Sequence, residues 1–189
     1  MTPSGVKQLG KQLASVNIPN RLTLLRIVLT PIYLLLLAFP IAHMGVYPAF
    51  IVYLAAAITD LLDGYIARKY ALTSDAGKFL DPIADKLFVI LPLIWFTYTG
   101  AVQPWLTMVI VARELIISGF RLVGAAQGVV LAAGIMGKAK TVSQIILLGT
   151  LTLGWRVPSL VMGIIAAALT VVSGAEYLYR NRALLGSLR

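Results

Sequence analysis

Residues 60–85 read DLLDGYIARKYALTSDAGKFLDPIAD, and they gather most of the chain's negative charge between two strongly apolar flanks. Five of the seven acidic residues of the chain fall within this stretch. Charge in hydrocarbon is costly, so ionisable residues beside membrane-like sequence indicate function by default. We therefore expect residues 60–85 to hold the functional site.

The composition indicates one integral membrane domain. The chain has 189 residues, of which 59% are hydrophobic, and a mean hydropathy of +0.90, outside the range of ordinary soluble domains. Its net charge of +9 is expected in cytoplasmic loops beside anionic lipid, so nucleic acid is not an expected partner. The absence of Cys excludes a disulfide framework and a thiolate metal site.

Apolar segments predict an all-α, polytopic membrane protein. A spanning helix needs about 20 mostly apolar residues. On that measure the sequence predicts six spans, at residues 22–40, 46–67, 83–98, 102–120, 142–153 (extended back toward 140) and 158–179. Ser173, Gly174 and Tyr177 are interpreted as packing residues of the sixth span.

The predicted domain organisation has three parts: a juxtamembrane segment at 1–17, a six-helix domain at 18–182 and a cytoplasmic tail at 183–189. Residues 1–17 combine two lysines with spaced apolar residues, which fits an amphipathic helix lying on the membrane surface. A solvated basic tail is the other interpretation. Residues 121–138 are predicted as a link that is a loop, a re-entrant segment or a short helix.

Basic residues predict the orientation of the spans. Lys and Arg lie before span one, between spans two and three, between spans four and five, and after span six, whereas the opposite links contain only Arg156. By the positive-inside rule, both termini and the 68–80 link face the cytoplasm. Residues 60–85 therefore lie at the cytoplasmic end of spans two and three.

The acidic residues form two pairs at helical spacing, Asp60 with Asp63 and Asp81 with Asp85. Four carboxylates repel one another unless cations intervene, and an oxygen-only donor set suits Mg²⁺ or Mn²⁺. Two such ions are typical of phosphoryl transfer. A carboxylate that is not fully engaged with metal can act as general base, and Asp85 is the candidate. The other interpretation pairs these carboxylates with neighbouring Lys and Arg.

Small and polar residues near the acidic pairs are candidates for ligand binding. Gly64 and Ala67 form a strip of small residues beside the first pair, where a ligand can approach the backbone. Asn20, Thr23 and Arg26 recur every three residues on one face of span one and are expected to face a shared polar cleft. Capping by Asn20 and backbone bonding by Thr23 are the other interpretations.

The spacing within residues 60–85 resembles the signature of the CDP-alcohol phosphatidyltransferase family. The matching positions are Asp60, Asp63, Gly64, Ala67, Arg68, Gly77, Asp81 and Asp85. The resemblance implies the fold of that family, a CDP-linked lipid as donor, two divalent cations held by the four aspartates, and Asp85 as general base. It also implies a homodimer. The CDP-lipid-binding candidates, from the resemblance and the polar cleft together, are Asn20, Thr23, Gly64, Ala67, Arg68 and Ser74.

Three further stretches resemble the phosphatidylglycerophosphate synthase branch of that family: NIPNRLTLLR at 17–26, AREL at 112–115 and GKAKT at 137–141. The resemblance implies transfer of a phosphatidyl group from CDP-diacylglycerol to sn-glycerol 3-phosphate in a bacterial cytoplasmic membrane, with release of CMP. An acceptor that carries a phosphate needs additional cations, and the candidates are Arg113, Arg121, Lys138 and Lys140. The other interpretations are positive-inside anchoring for the two lysines and, for Arg113, an internal pair with Glu114 or with a backbone carbonyl.

Two alternative functions follow from the same residues. The first keeps the donor and changes the acceptor, for example to inositol phosphate. The second is a divalent-cation transporter, because carboxylates within membranes also line ion paths. A transporter predicts carboxylates near the bilayer midplane and leaves Gly64, Ala67 and Arg68 without a role.

Overall fold

The computed structural model describes residues 22–41, 44–70, 75–128 and 134–182, and these residues are helical with short connections. No strand occurs in the described ranges. The long helices are α1 (Leu22–Ala38), α2 (Tyr47–Tyr70), α3 (Asp75–Tyr98), α4 (Pro104–Ala126), α5 (Ile135–Thr152) and α6 (Arg156–Arg180). The all-α prediction is confirmed for this part of the chain. The terminal segments predicted at 1–17 and 183–189 lie outside it.

The first of two compact units ends at Leu91 and contains α1, α2 and most of α3. Buried aromatic rings join the three helices: the ring centroid of Tyr53 on α2 lies 5.5 Å from that of Tyr33 on α1 and 5.4 Å from that of Phe88 on α3. Aromatic pairs at this separation contribute beyond the apolar area that they bury. This core fixes the three helices against one another close to the carboxylate-rich end of the unit.

The second unit begins at Pro92 and contains α4, α5 and α6. Gly163 of α6 lies so close to its neighbours that an added Cβ would be 2.9 Å from Leu106 Cδ1 of α4 and 3.9 Å from Leu147 Cδ1 of α5. Farther along α6, Tyr177 packs edge-on against Phe120 of α4, with ring centroids 6.2 Å apart. Small residues therefore let α6 approach both other helices closely.

The described helices differ in how clearly they qualify as membrane spans. By length and apolar composition, Arg156–Arg180 is the one described helix that suffices to cross a membrane, and Leu22–Ala38 and Tyr47–Asp60 are shorter apolar helices. Large apolar side chains are exposed on several helices, including Leu35, Ile51, Ile94, Met108, Ile146 and Leu160.

Several helices extend beyond the predicted spans. Helix α4 continues past Phe120 to Ala126, and α5 begins at Ile135, so the predicted 121–138 link is too long at both ends. Helix α3 likewise begins at Asp75 instead of residue 83. Hydropathy detects apolar residues, whereas a helix continues through polar residues as long as its backbone hydrogen bonds are made. Helix α4 ends where Gly128 takes a φ of +74°, a conformation that favours glycine.

Candidate active site

Arg26 of α1 joins the two acidic helices. Its Nη1 donates to Asp60 Oδ1 of α2 at 2.9 Å and also to Asp85 Oδ1 of α3. The Arg26 side chain is 1% exposed, against 26% for Asp60 and 55% for Asp85. The three helices therefore meet at one guanidinium, with the carboxylates toward the more open side.

The polar face of α1 explains why Arg26 is buried. Thr23, Arg26 and Thr30 share that face, and each is at most 1% exposed. Thr30 Oγ1 donates to the backbone carbonyl of Arg26 at 2.9 Å, so the hydroxyl has a partner within the helix. Leu25 and Val28 are exposed instead. The helix thus turns its polar residues inward and its apolar residues outward, the reverse of a helix in a soluble protein.

The donor set of the first unit fits a hard divalent cation. Asp60 of α2 and Asp85 of α3 bring two carboxylates to one place, where both contact the Arg26 guanidinium. Carboxylate oxygens are the ligands that Mg²⁺ and Mn²⁺ prefer. Asp63 lies in α2 and Asp81 in α3, but their side chains are outside the described part of the structure. Of the four predicted metal ligands, the structure therefore brings Asp60 and Asp85 together.

The residues predicted to bind the CDP-lipid are only partly described. Thr23 is buried on α1. Gly64, Ala67 and Arg68 lie in α2, and their side chains are outside the described part of the structure. Asn20 and Ser74 lie outside the described residues altogether.

A second polar cluster lies in the second unit and is organised by Glu114 of α4. The Glu114 carboxylate accepts from the Lys140 ammonium of α5 and, at 3.4 Å, from Arg113 Nη1. Arg113 Nη2 donates to Ser173 Oγ of α6 at 3.3 Å. The side chains of Arg113, Glu114 and Lys140 are 15%, 13% and 6% exposed. All three helices of this unit thus contribute to one mostly buried ionic cluster.

Arg121 lies two turns beyond Arg113 on α4. Its Nε donates to the hydroxyl of Tyr177 at 3.2 Å, and its guanidinium lies 5.4 Å from the centroid of the same ring. Arg113 and Arg121 are close enough to Lys140 for their positive charges to act on it. Lys138, the fourth predicted acceptor ligand, is exposed on α5, and none of these contacts includes it.

Sequence reasoning missed part of both clusters. The internal pair of Arg113 with Glu114, one of the two open interpretations, is present. The contact between Glu114 and Lys140 and the hydrogen bond from Arg113 to Ser173 were not predicted. The available signal was Glu114 itself, an acidic residue within an apolar helix, which requires cationic partners.

Comparison with known proteins identifies the class to which this site belongs. Residues 16–172 match the family model described as CDP-alcohol phosphatidyltransferase, and the chain belongs to this family. The resemblance seen in the sequence is therefore confirmed. The family is membrane-associated and generally uses divalent metal ions.

Three relatives of the same name match most of the chain. The chain is 37% identical to a Bacillus subtilis protein named CDP-diacylglycerol–glycerol-3-phosphate 3-phosphatidyltransferase, over 87% of this chain and 95% of the relative. Proteins of the same name are 36% identical in Sodalis glossinidius, over 88% of this chain and 96% of the relative. In Escherichia coli the identity is 34%, again over 88% of this chain and 96% of the relative.

Proposed function

We propose that this protein transfers the phosphatidyl group of CDP-diacylglycerol to sn-glycerol 3-phosphate, giving phosphatidylglycerol phosphate and CMP. The observation that carries the proposal is the meeting of Asp60 and Asp85 at Arg26, in a chain that belongs to the CDP-alcohol phosphatidyltransferase family. The names of three relatives that match most of the chain support the choice of donor and acceptor.

The four aspartates are the proposed holders of two divalent cations. Asp63 lies three residues after Asp60 in α2, and Asp81 lies four residues before Asp85 in α3. Asp63 and Asp81 are therefore each about one helical turn from a carboxylate that contacts Arg26. Bound Mg²⁺ or Mn²⁺ would stabilise charge on diphosphate oxygens during the reaction.

Asp85 is the proposed general base. Its side chain is 55% exposed, about twice the 26% of Asp60, so an acceptor hydroxyl can approach it. The proton of the primary hydroxyl moves to the Asp85 carboxylate as the hydroxyl oxygen bonds to the phosphorus that carries diacylglycerol. The bond from that phosphorus to the CMP oxygen breaks, and CMP leaves with the bonding electrons.

The donor is proposed to bind along α1 and α2. Thr23 is buried beside Arg26 on the polar face of α1, and Gly64 and Ala67 follow Asp60 along α2. A ligand can approach the backbone closely at residues this small. The full proposed set of CDP-lipid-binding residues is Asn20, Thr23, Gly64, Ala67, Arg68 and Ser74.

The acceptor phosphate is proposed to bind the basic residues of the second unit. Arg113 and Lys140 share the Glu114 carboxylate, and Arg121 is fixed by Tyr177. Guanidinium groups bind phosphate through two hydrogen bonds at once, whereas an ammonium acts as a point charge. Lys138 is a proposed contributor from the exposed side of α5.

The protein is proposed to cross a bacterial cytoplasmic membrane six times, as a homodimer, with the site on the cytoplasmic side. Three observations support membrane placement: the exposed large apolar side chains, the apolar α6, and the inward-facing polar residues of α1. Basic residues concentrated in alternate links support the orientation.

The test is release of CMP by purified protein in detergent with CDP-diacylglycerol and Mg²⁺. We expect release with sn-glycerol 3-phosphate and none with inositol phosphate, serine or no acceptor. The variant Asp85→Asn should lose turnover while it retains binding of the CDP-lipid, since an amide cannot accept the proton. Full activity of Asp85→Asn would refute the assignment of the base.

A further inference from the structure

Arg113 is fixed from two directions in the second unit. Its Nη1 donates to Glu114 Oε1 at 3.4 Å, and its Nη2 donates to Ser173 Oγ at 3.3 Å. Its aliphatic stem lies against the α6 backbone at Gly174, where an added Cβ would be 3.2 Å from Arg113 Cγ and 3.8 Å from Nε. Helix α6 therefore supplies both a hydrogen-bond acceptor for the guanidinium and the space that the stem occupies.

One donor of this fixed guanidinium is not used by the residues that the structure describes. Arg113 Nε is buried and has no hydrogen-bond acceptor among the described residues. Buried donors without a partner are rare in folded proteins, and each calls for an explanation. An oxyanion is the natural acceptor for a guanidinium N–H.

The charge of the cluster matches one class of oxyanion. Arg113 and Lys140 both contact the Glu114 carboxylate, and Arg121 adds a positive charge that acts on Lys140, so these four side chains carry a net charge of two positive units. A phosphomonoester carries about −1.5 to −2 charge at pH 7. A phosphomonoester therefore balances the cluster, whereas an uncharged alcohol does not.

We infer that Ser173 and Gly174 are positioning residues for the acceptor phosphate, because they set the direction of the Arg113 guanidinium. The inference rests on the proposed function and deepens it. It assigns the choice of a phosphorylated acceptor partly to α6, although neither residue carries a charge. The interpretation of Ser173 and Gly174 as simple packing residues predicts a different outcome for the same substitutions.

The first test is Ser173→Ala, which removes the hydrogen-bond acceptor and adds no bulk. We expect the KM for sn-glycerol 3-phosphate to rise by roughly three- to tenfold, as for one lost hydrogen bond to a charged group. The kcat and the KM for CDP-diacylglycerol should stay within about twofold of wild type. Ser173→Thr retains the hydroxyl and should restore the KM for sn-glycerol 3-phosphate.

The matched control is Ser159→Ala, on the same helix. Ser159 is also buried, and its hydroxyl has no hydrogen-bond partner among the described residues. Its substitution should leave both KM values unchanged. This control separates loss of a buried hydroxyl from loss of the contact with Arg113.

The second test is Gly174→Ala, which places a methyl group against the Arg113 stem. Its control is Gly163→Ala, where the methyl group meets Leu106 instead. We expect the first substitution to raise the KM for sn-glycerol 3-phosphate by at least roughly threefold and the second to leave it unchanged. A melting temperature for each variant identifies any general loss of packing.

The outcomes separate the inference from the function on which it rests. If the wild-type protein releases no CMP with sn-glycerol 3-phosphate, the proposed function fails and the inference fails with it. If the wild type is active and Ser173→Ala behaves as Ser159→Ala, only the inference is overturned. An equal rise of both KM values in Ser173→Ala and Gly174→Ala would also overturn it, since packing residues act on both substrates alike.

Discussion

Replacing Arg26 with Gln should destabilise the first unit and increase its dependence on divalent cations. The guanidinium is the shared partner of Asp60 and Asp85, and its side chain is 1% exposed. Glutamine is long enough to fill part of the same space but carries no charge. The substitution therefore leaves two carboxylates at the junction of α2 and α3 without this neutralising cation.

The burial of the Arg26 side chain sets the expected loss of stability in Arg26→Gln. Removing one partner of a buried ion pair costs about 3–5 kcal/mol. The carboxylates of Asp60 and Asp85 are 26% and 55% exposed, so water can solvate them in part, and the lower end applies. For a chain of this size, about 3 kcal/mol corresponds to roughly 6–12 °C in melting temperature.

The assay is thermal unfolding of purified protein in detergent, with and without Mg²⁺. The melting temperature of Arg26→Gln should fall by about 6–12 °C without the cation. Added Mg²⁺ should raise the melting temperature of the variant more than that of the wild type, because binding to the folded state stabilises it. This readout does not depend on activity.

The control is Arg156→Gln, at the exposed start of α6. Exposed substitutions usually change stability by less than about 0.5 kcal/mol, so its melting temperature should match that of the wild type. A melting temperature for Arg26→Gln that equals that of Arg156→Gln would refute the role of Arg26 in holding the carboxylates. An identical response of variant and wild type to Mg²⁺ would refute its link to cation binding.

Three further predictions concern the rest of the chain. Glu114→Ala should lower the free energy of unfolding, measured by denaturation in detergent, by about 3 kcal/mol, because it removes the carboxylate that buried cations contact. The double variant Glu114→Leu with Lys140→Met should recover most of that loss. Gly163→Val should cost about 1–3 kcal/mol by overpacking against Leu106, and an unchanged melting temperature would contradict the close approach of α6 to α4. Chelation of divalent cations should stop CMP release, and added Mg²⁺ or Mn²⁺ should restore it, whereas full activity in excess chelator would exclude the proposed metal requirement.

The helices were largely predictable, and their ends were not. Apolar segments placed a helix at each of the six predicted positions, since a membrane protein repeats one strong signal. The helix ends differ where polar residues continue a helix beyond its apolar part. Arg121 was taken as the start of a link, yet its guanidinium is held by Tyr177 and α4 continues to Ala126. Helix α5 likewise starts at Ile135, before Lys138 and Lys140, because hydropathy does not register a helix that continues through lysines.

The candidate site was predictable where it depended on spacing within one helix. The acidic pairs were visible because Asp60 and Asp63, and likewise Asp81 and Asp85, lie about one helical turn apart in the sequence. The contact of Asp85 with Arg26 spans 59 positions in sequence and depends on how α1 packs. Contacts of this kind are set by tertiary packing, which helical periodicity does not contain.

The contacts among the residues predicted to bind the acceptor phosphate were also not predictable from helical spacing. Arg113 and Lys140 were expected to act on an acceptor phosphate, whereas the structure places Glu114 between them. Ser173 and Gly174 looked like packing residues because small residues on a membrane helix usually are. Their contact with Arg113 becomes visible only when α4 and α6 are placed together.

The most direct test of the proposed function is CMP release by the purified protein with CDP-diacylglycerol, Mg²⁺ and one acceptor at a time. The proposed function predicts release with sn-glycerol 3-phosphate, formation of phosphatidylglycerol phosphate in equal amount, and loss of both in Asp85→Asn. Release of CMP with inositol phosphate and none with sn-glycerol 3-phosphate would contradict it.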